Sequence, residues 1–126
     1  MPISEDFRNR LSSVIEKAAR HFGTPFHIYD EKGIKETGKR MNEVFSGLDG
    51  FREYFAVKAL PNPHVMKIMQ AAGFGFDCSS SPEVLLARQI GSSGEDIMFT
   101  SNNTSDDQFR TALADGGCIL NLDDIS

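Results

Sequence analysis

The segment Tyr54-Phe55-Ala56-Val57-Lys58-Ala59-Leu60-Pro61-Asn62-Pro63 decides the fold of this chain. Its first residues favour a buried β-strand, because Tyr, Phe and Val pack well on a pleated surface. The two prolines cannot continue a central strand, so the strand is expected to end at Lys58. An ammonium group there is costly unless it is paired, solvated or used chemically. An apolar setting also favours the neutral amine, which can form a Schiff base.

Three more strands follow this segment, each after a helix. The predicted strands cover residues 53–58, 75–78, 96–100 and 118–122, and the predicted helices cover residues 63–72, 82–90 and 105–114. Strands and helices in alternation predict a parallel sheet covered by helices. Two architectures fit this α/β pattern, an open doubly wound sheet and part of a (β/α)8 barrel. A whole barrel takes about 250 residues, so this chain could supply about half of one.

A helix–strand–helix segment precedes the α/β part. Apolar residues at helical spacing and a capping serine, Ser4, predict a helix over residues 4–21. Alternating residues predict a short strand over 26–29. Asp30 is expected to cap a helix over residues 31–45.

These patterns divide the chain into two parts. Residues 1–50 form the N-terminal segment, and residues 51–126 form the partial barrel. No low-complexity stretch or linker separates them.

Composition and charge argue against several classes of protein. The formal net charge is -5 and Lys and Arg form no cluster, which argues against a nucleic-acid partner. No apolar run approaches the ~20 residues that span a bilayer, and the acidic N-terminus does not resemble a signal peptide, so we expect a cytoplasmic protein. Cys78 and Cys118 have no CxxC spacing, which favours buried free thiols. The three histidines are scattered, so no metal site is expected.

Polar residues follow every predicted strand at its carboxyl end. In parallel α/β folds, functional sites form at that edge of the sheet. The residues that the strands bring there are Lys58, Asp77, Cys78, Ser79, Ser80, Glu83, Thr100, Ser101, Asn102, Asn103, Asn121, Asp123 and Asp124. The sequence thus predicts a site with one cation among several carboxylates and amides.

The same residues also have structural interpretations. Lys58 and Asp77 could form a salt bridge, and the pattern does not separate this from catalysis. Glu83 has capping-box spacing from Ser80, which explains it fully. Asn102 fits a turn.

Four blocks of the chain, in their order, resemble the fold-type III pyridoxal-phosphate-dependent decarboxylases. Residues 54–59, in which Ala56-Val57-Lys58-Ala59 matches A-V-K-A, resemble the signature Y-A-V-K-A-N, and residues 75–83 resemble G-x-D-V/C-x-S-x-x-E. Residues 22–30 resemble the Y-G-T-P-x-Y-V-Y-D opening of diaminopimelate decarboxylases. Residues 96–102 and 119–123 fit the third and fourth barrel strands. The resemblance covers nearly the whole chain.

This resemblance implies a cofactor and a role for each matching residue. Lys58 would be the catalytic lysine that holds pyridoxal 5'-phosphate. Asp77 would lie near the cofactor ring, Glu83 would belong to the hydrogen-bonding shell, and Asn102 would contact the cofactor. The implied reaction is loss of the α-carboxylate of an amino acid, most simply meso-diaminopimelate, which gives L-lysine and carbon dioxide in lysine biosynthesis. Leu60 stands where the signature has Asn, which leaves ornithine, arginine and carboxynorspermidine decarboxylases open as alternatives.

Several parts of that family do not occur in the sequence. A ring-stacking histidine, a Gly-rich phosphate loop and a C-terminal β-domain are missing, so we expect a barrel truncated after strand four and inactive by itself. Residues 1–30 are expected to pack with that β-domain. Open sheet edges are expected to pair copies into a homo-oligomer. The competing interpretation is a non-catalytic α/β module that binds a ligand or partner at its polar edge.

Overall fold

A sheet of four parallel strands organises the part of the chain that the structure describes, residues 3–122 of a computed structural model. The elements are α1 (Glu5–Ser12), α2 (Ile15–Phe22), α3 (Glu31–Phe45), β1 (Tyr54–Ala56), a 3-10 turn (Val57–Ala59), α4 (Pro63–Ala71), β2 (Gly75–Cys78), α5 (Ser81–Gln89), β3 (Gly94–Thr100), α6 (Asp106–Leu113) and β4 (Cys118–Asn121). None of these helices is long and apolar enough to cross a membrane.

Each strand pairs with the next one along the chain, in the order β1-β2-β3-β4. Ala56 lies opposite Asp77, Asp77 lies opposite Met98, and Met98 lies opposite Ile119. The parallel α/β arrangement predicted from the sequence is therefore confirmed. Among the described residues, β1 and β4 each have an unpaired outer edge, and association of copies through these edges stays a prediction.

One face of the sheet is buried against helices α4, α5 and α6. Side chains alternate between the two faces of a strand, so Phe76 and Cys78 share a face and Asp77 lies on the other. Phe76 and Cys78 are fully buried, and Phe99 on β3 is 2% exposed. The core cluster is Val57, Met66, Phe76, Cys78, Val84, Ala87, Ile97, Phe99 and Ala112. Burying one large apolar side chain contributes about 1.5–3 kcal/mol, so this layer dominates the stability of the fold.

Two predictions for the N-terminal part are wrong. The helix expected over residues 4–21 breaks into α1 and α2, although Ser4 caps its start as expected. The Ser12 and Ser13 hydroxyls donate back to the carbonyls of Asn9 and Arg10, both at 2.9 Å, and such bonds compete with helix propagation. The strand expected over residues 26–29 does not form, since no other segment of residues 3–122 pairs with it.

Helix α3 has the predicted bounds, but Asp30 does not cap it as expected. Its side chain makes no cap hydrogen bond and instead accepts one from Arg10 of α1. This hydrogen bond holds the pKa of Asp30 below its usual value. The Arg10–Asp30 pair therefore ties α1 to the start of α3.

Glycine at position 38 lets α3 approach the end of α4. A Cβ at Gly38 would lie 3.2 Å from the Cβ of Ala72. Close by, the Asn42 side-chain amide donates to the Ala72 carbonyl at 2.7 Å. A residue that weakens an isolated helix thus serves packing here.

Arg88 on α5 holds the end of α6. Its guanidinium donates to the carbonyl oxygens of Thr111 at 2.7 Å, Ala112 at 3.0 Å and Ala114 at 2.5 Å. The last carbonyls of a helix have no partner within the helix, so a neighbouring donor stabilises them. The Arg88 side chain is 10% exposed, which strengthens these bonds by excluding water.

Replacing Arg88 with Met keeps an apolar stem and removes the charged donors. We expect the free energy of unfolding to fall by about 2 kcal/mol, because carbonyl oxygens at the end of α6, two of them in part-buried contacts, lose hydrogen bonds to a charged group. Urea unfolding followed by circular dichroism measures this change. Arg110→Met is the matched control, since Arg110 is exposed on α6. Equal losses in the two variants would contradict this role of Arg88.

Candidate functional site

Lys58 lies just beyond the first strand rather than at its end. β1 stops at Ala56, and the 3-10 turn that follows contains Lys58. The turn forms because Val57 is fully buried in the core while the Leu60 N–H donates to the Val57 carbonyl at 3.1 Å. Lys58 is exposed, so the apolar setting expected for it is wrong. Within residues 3–122 it forms no ion pair, with Asp77 or any other residue.

Asp77 is held on the face of the sheet away from the core. It lies on β2, between Ala56 of β1 and Met98 of β3. Its Oδ1 atom is buried and has no hydrogen-bond partner in the described part of the chain. Leaving such an acceptor unpaired costs about 1–3 kcal/mol. This oxygen therefore suits a donor that arrives with a ligand.

Glu83 is fixed by the loop that leads into α5. Its Oε2 accepts from the Ser79 N–H at 2.8 Å, and its Oε1 accepts from the Ser80 hydroxyl at 2.9 Å. Ser80 is the N-cap residue, but the expected capping box does not form. The Ser80 side chain accepts no bond from the helix, and Glu83 accepts from the N–H of Ser79 instead of that of Ser80. Both oxygens of Glu83 are thereby aimed at the carboxyl end of β2.

The third and fourth strands bring amides and hydroxyls to the same edge. Asn102 is exposed in the loop after β3, next to Asn103 with φ 56°, which agrees with the predicted turn. On β4, the Asn121 amide donates to the Thr100 hydroxyl at 3.3 Å. The predicted edge residues Asp123 and Asp124 lie outside the described residues.

The predicted site residues thus follow neighbouring strands at one edge of the sheet. Lys58 follows β1, and Asn102 follows β3. Asp77 lies near the end of β2, and Glu83 lies in the first turn of α5. No hydrogen bond or ion pair joins these four to one another among the described residues. Sequence reasoning missed the Thr100–Asn121 contact, because strand register is not visible in a single sequence.

A groove elsewhere in residues 3–122 has a different, mostly apolar lining. A groove of about 580 Å³ lies between α1, α3 and α4, and apolar residues such as Phe7, Met41 and Phe74 line it. It contains none of the polar residues at the carboxyl edge. No group of three His, Cys, Asp or Glu residues in this range could hold a metal ion.

Comparison with protein families matches residues 31–126 to the pyridoxal binding domain of the pyridoxal-dependent decarboxylases. Protein TabA of Pseudomonas amygdali pv. tabaci is 44% identical over the whole chain, which covers 30% of that relative. The diaminopimelate decarboxylase of Methanothermobacter thermautotrophicus is 37% identical over 83% of the chain and 24% of its own length. The chain therefore spans less than a third of these relatives.

Solved structures share the fold. The lysine/ornithine decarboxylase of Vibrio vulnificus, complexed with putrescine, matches 98% of this chain and 32% of its own with a TM-score of 0.78 and 25% identity. A diaminopimelate decarboxylase of Helicobacter pylori, complexed with L-lysine, matches 85% of this chain and 27% of its own with a TM-score of 0.70 and 26% identity. The predicted fold class, the N-terminal half of a (β/α)8 barrel, is confirmed.

The thiol of Cys78 belongs to the core rather than to the site. Cys78 is fully buried, and burial raises its pKa to about 12. Burial also raises the pKa of Cys118, which is half-buried. Both thiols are free, as the sequence predicts.

We expect Cys78 in the folded protein at pH 8 to react with a thiol reagent about a thousandfold more slowly than a free cysteine, because little thiolate is present. Alkylation followed by mass spectrometry measures both rates, with Cys118 as the faster internal reference. Urea should equalise them. The unfolded Cys78 thiol loses its proton at a lower pH than the folded one, so the free energy of unfolding should also fall as the pH rises from 9 towards 12. Fast labelling of Cys78 before unfolding would contradict its burial.

Proposed function

Because this chain belongs to the pyridoxal-dependent decarboxylases, we propose that Lys58 binds pyridoxal phosphate covalently in an enzyme that removes the α-carboxylate of an amino acid. The cofactor of the family is pyridoxal phosphate. One observation carries the assignment to Lys58. Lys58 is exposed just after β1, and the neighbouring strand β2 carries Asp77, whose buried Oδ1 has no donor within residues 3–122; both lie towards the edge where such folds bind ligands.

The residues at this edge suit the cofactor in chemical type. Lys58 offers an accessible amine, which can form a bond to a carbonyl carbon once it has lost a proton. Asp77 offers an acceptor for an N–H or O–H of the bound group. Glu83 is held in place by Ser79 and Ser80, and it would fix the hydrogen bonds around the site. The exposed amide of Asn102 can donate and accept.

Each side chain then has a task in the reaction. When bound, pyridoxal phosphate takes up the electron pair that remains on the α-carbon as carbon dioxide leaves. Lys58 would hold the cofactor in position, and its amine could carry a proton once it is free. Asp77 and Glu83, held by the backbone of β2 and α5, would present carboxylate oxygens to the bound group in a fixed orientation.

We propose meso-diaminopimelate as the substrate, with L-lysine and carbon dioxide as products. Support comes from the diaminopimelate decarboxylases among the relatives, at 37% and 32% identity. The second candidate is ornithine, since an ornithine decarboxylase of Leishmania donovani is 36% identical over 79% of the chain. The name of protein TabA states no substrate. Arginine and carboxynorspermidine remain further alternatives.

Carbon dioxide release by the complete protein in which this chain occurs tests the substrate. The panel contains meso-diaminopimelate, L-ornithine, L-arginine, L-lysine and carboxynorspermidine, each with added cofactor. We expect the highest kcat/KM for meso-diaminopimelate. A higher value for ornithine would favour the second candidate. A protein that binds the cofactor and releases carbon dioxide from none of them is not a decarboxylase of basic amino acids.

Lys58→Ala tests the covalent site directly. The protein is incubated with pyridoxal phosphate, reduced with borohydride, digested and analysed by mass spectrometry. We expect the pyridoxyl group on Lys58 in the wild type, and a loss of labelling by about tenfold or more in Lys58→Ala, because the other lysines of this chain lie on helices α2, α3 and α4. This readout does not depend on turnover.

Lys67→Ala is the matched control, since Lys67 is an exposed lysine on the neighbouring helix α4. It should leave the labelling of Lys58 unchanged. Labelling that spreads evenly over the exposed lysines would contradict the proposed site. It would favour instead a module that does not use this cofactor.

A further inference from the structure

The position of Lys58 depends on how β1 is held. β1 has only three residues, and it pairs with β2 alone among the described strands. Lys58 follows it by two residues. A shift of β1 along β2 would therefore move Lys58 relative to Asp77 by the same distance.

Two side chains at the start of β1 reach across β2 to β3. We call them, with their partners, the β1 clamp: Arg52, Tyr54, Glu95 and Asp96. The Tyr54 hydroxyl donates to the Glu95 carbonyl at 2.8 Å. The Arg52 guanidinium donates to the same carbonyl at 3.2 Å and to the Asp96 carboxylate at 2.5 Å. The clamp therefore joins the first strand to the third without using β2 as an intermediate.

The Tyr54 ring passes over β2 at a glycine. A Cβ at Gly75 would lie 2.5 Å from Cε1 and 2.6 Å from Cδ1 of this ring, so only glycine leaves room for it. The Arg52 guanidinium lies over the same ring, with its central carbon 5.5 Å from the ring centroid. Such a cation–π arrangement adds to the hydrogen bonds and keeps the ring in place.

The clamp and the core together leave one register for β1. A shift by one residue would turn Val57, which is fully buried, out of the core. A shift by two residues keeps the faces but would move the Tyr54 ring off Gly75 and break the bonds to Glu95 and Asp96. The register that remains sets Ala56 opposite Asp77.

We propose that Arg52 and Tyr54 are positioning residues for Lys58. They lie at the amino end of β1, contact no reacting atom, and act by fixing the register that sets Ala56 opposite Asp77 and thereby the place where Lys58 leaves the strand. The inference rests on the proposed role of Lys58 in holding the cofactor. If it holds, the role of Lys58 depends on Arg52 and Tyr54 at the opposite edge of the sheet as well as on the residues at the carboxyl edge.

The test compares Tyr54→Phe, Arg52→Met and Arg52→Lys with the wild type. The first variant removes one hydroxyl and keeps the ring, and the second removes the charge. Arg52→Lys keeps the charge and loses the planar fork, so it should rescue part of the effect. Tyr29→Phe and Arg40→Met are matched controls, since both residues are exposed and lie outside the clamp. All variants are measured where circular dichroism shows them fully folded.

The first readout is the ratio of pyridoxyl labelling at Lys58 to that at Lys67. General instability does not change this ratio in molecules that are folded. We expect the ratio to fall about tenfold in Arg52→Met, less in Tyr54→Phe and Arg52→Lys, and not in the controls. A ratio unchanged in Arg52→Met and Tyr54→Phe would overturn the proposal.

The second readout is amide hydrogen exchange over residues 54–58, which needs no cofactor. Exchange there should rise about tenfold in Arg52→Met while exchange in β3 stays unchanged. Unchanged exchange in β1 would also overturn the proposal. Wild-type protein that labels Lys58 no more than Lys67 contradicts the proposed function itself. A wild-type preference that survives in the clamp variants contradicts only the positioning role.

Discussion

Burial of one face of the sheet against α4, α5 and α6 is the interaction on which the rest of the structure depends. It fixes which side chains of each strand are inside, because neighbours along a strand point to opposite faces. Because Phe76 and Cys78 are fully buried on one face, the Asp77 side chain between them lies on the other face. The same constraint at Val57 ends β1 early and sends Lys58 out of the sheet. The site is thus a consequence of the core.

The two edges of the sheet have different tasks. At the carboxyl edge, Lys58 is exposed and the Oδ1 of Asp77 has no hydrogen-bond partner within residues 3–122. At the amino edge, Arg52 and Tyr54 are fully engaged with β3. Parallel α/β folds commonly separate chemistry and stability in this way. Here the stabilising edge also sets the position of the chemical one, since both act on the same short strand.

Sequence reasoning succeeded where local signals and packing agreed. β2 has the predicted bounds, α3 does too, and α4 ends one residue earlier than expected. It failed where an element needed a partner elsewhere in the chain. The alternating residues 26–29 have strand character, but hydrogen bonds of a strand require a second strand, and none pairs there within residues 3–122. The sequence also predicted an apolar setting for Lys58, which is exposed in the structure. The prediction failed because burial of Val57 and the resulting turn depend on helices that fold onto the strand.

The sequence by itself determined the alternation of strands and helices, the parallel sheet and the polar residues at its carboxyl edge, because period, caps and turn residues are local. It also pointed to Lys58, Asp77, Glu83 and Asn102 through a resemblance of ordered motifs. Only the tertiary structure decided the register, the lack of a partner for the Asp77 Oδ1 among the described residues, and the contacts of Arg52 and Tyr54 with β3. The Arg52 and Tyr54 contacts join residues about 40 positions apart, and nothing local in the chain specifies which distant carbonyl or carboxylate a side chain will reach.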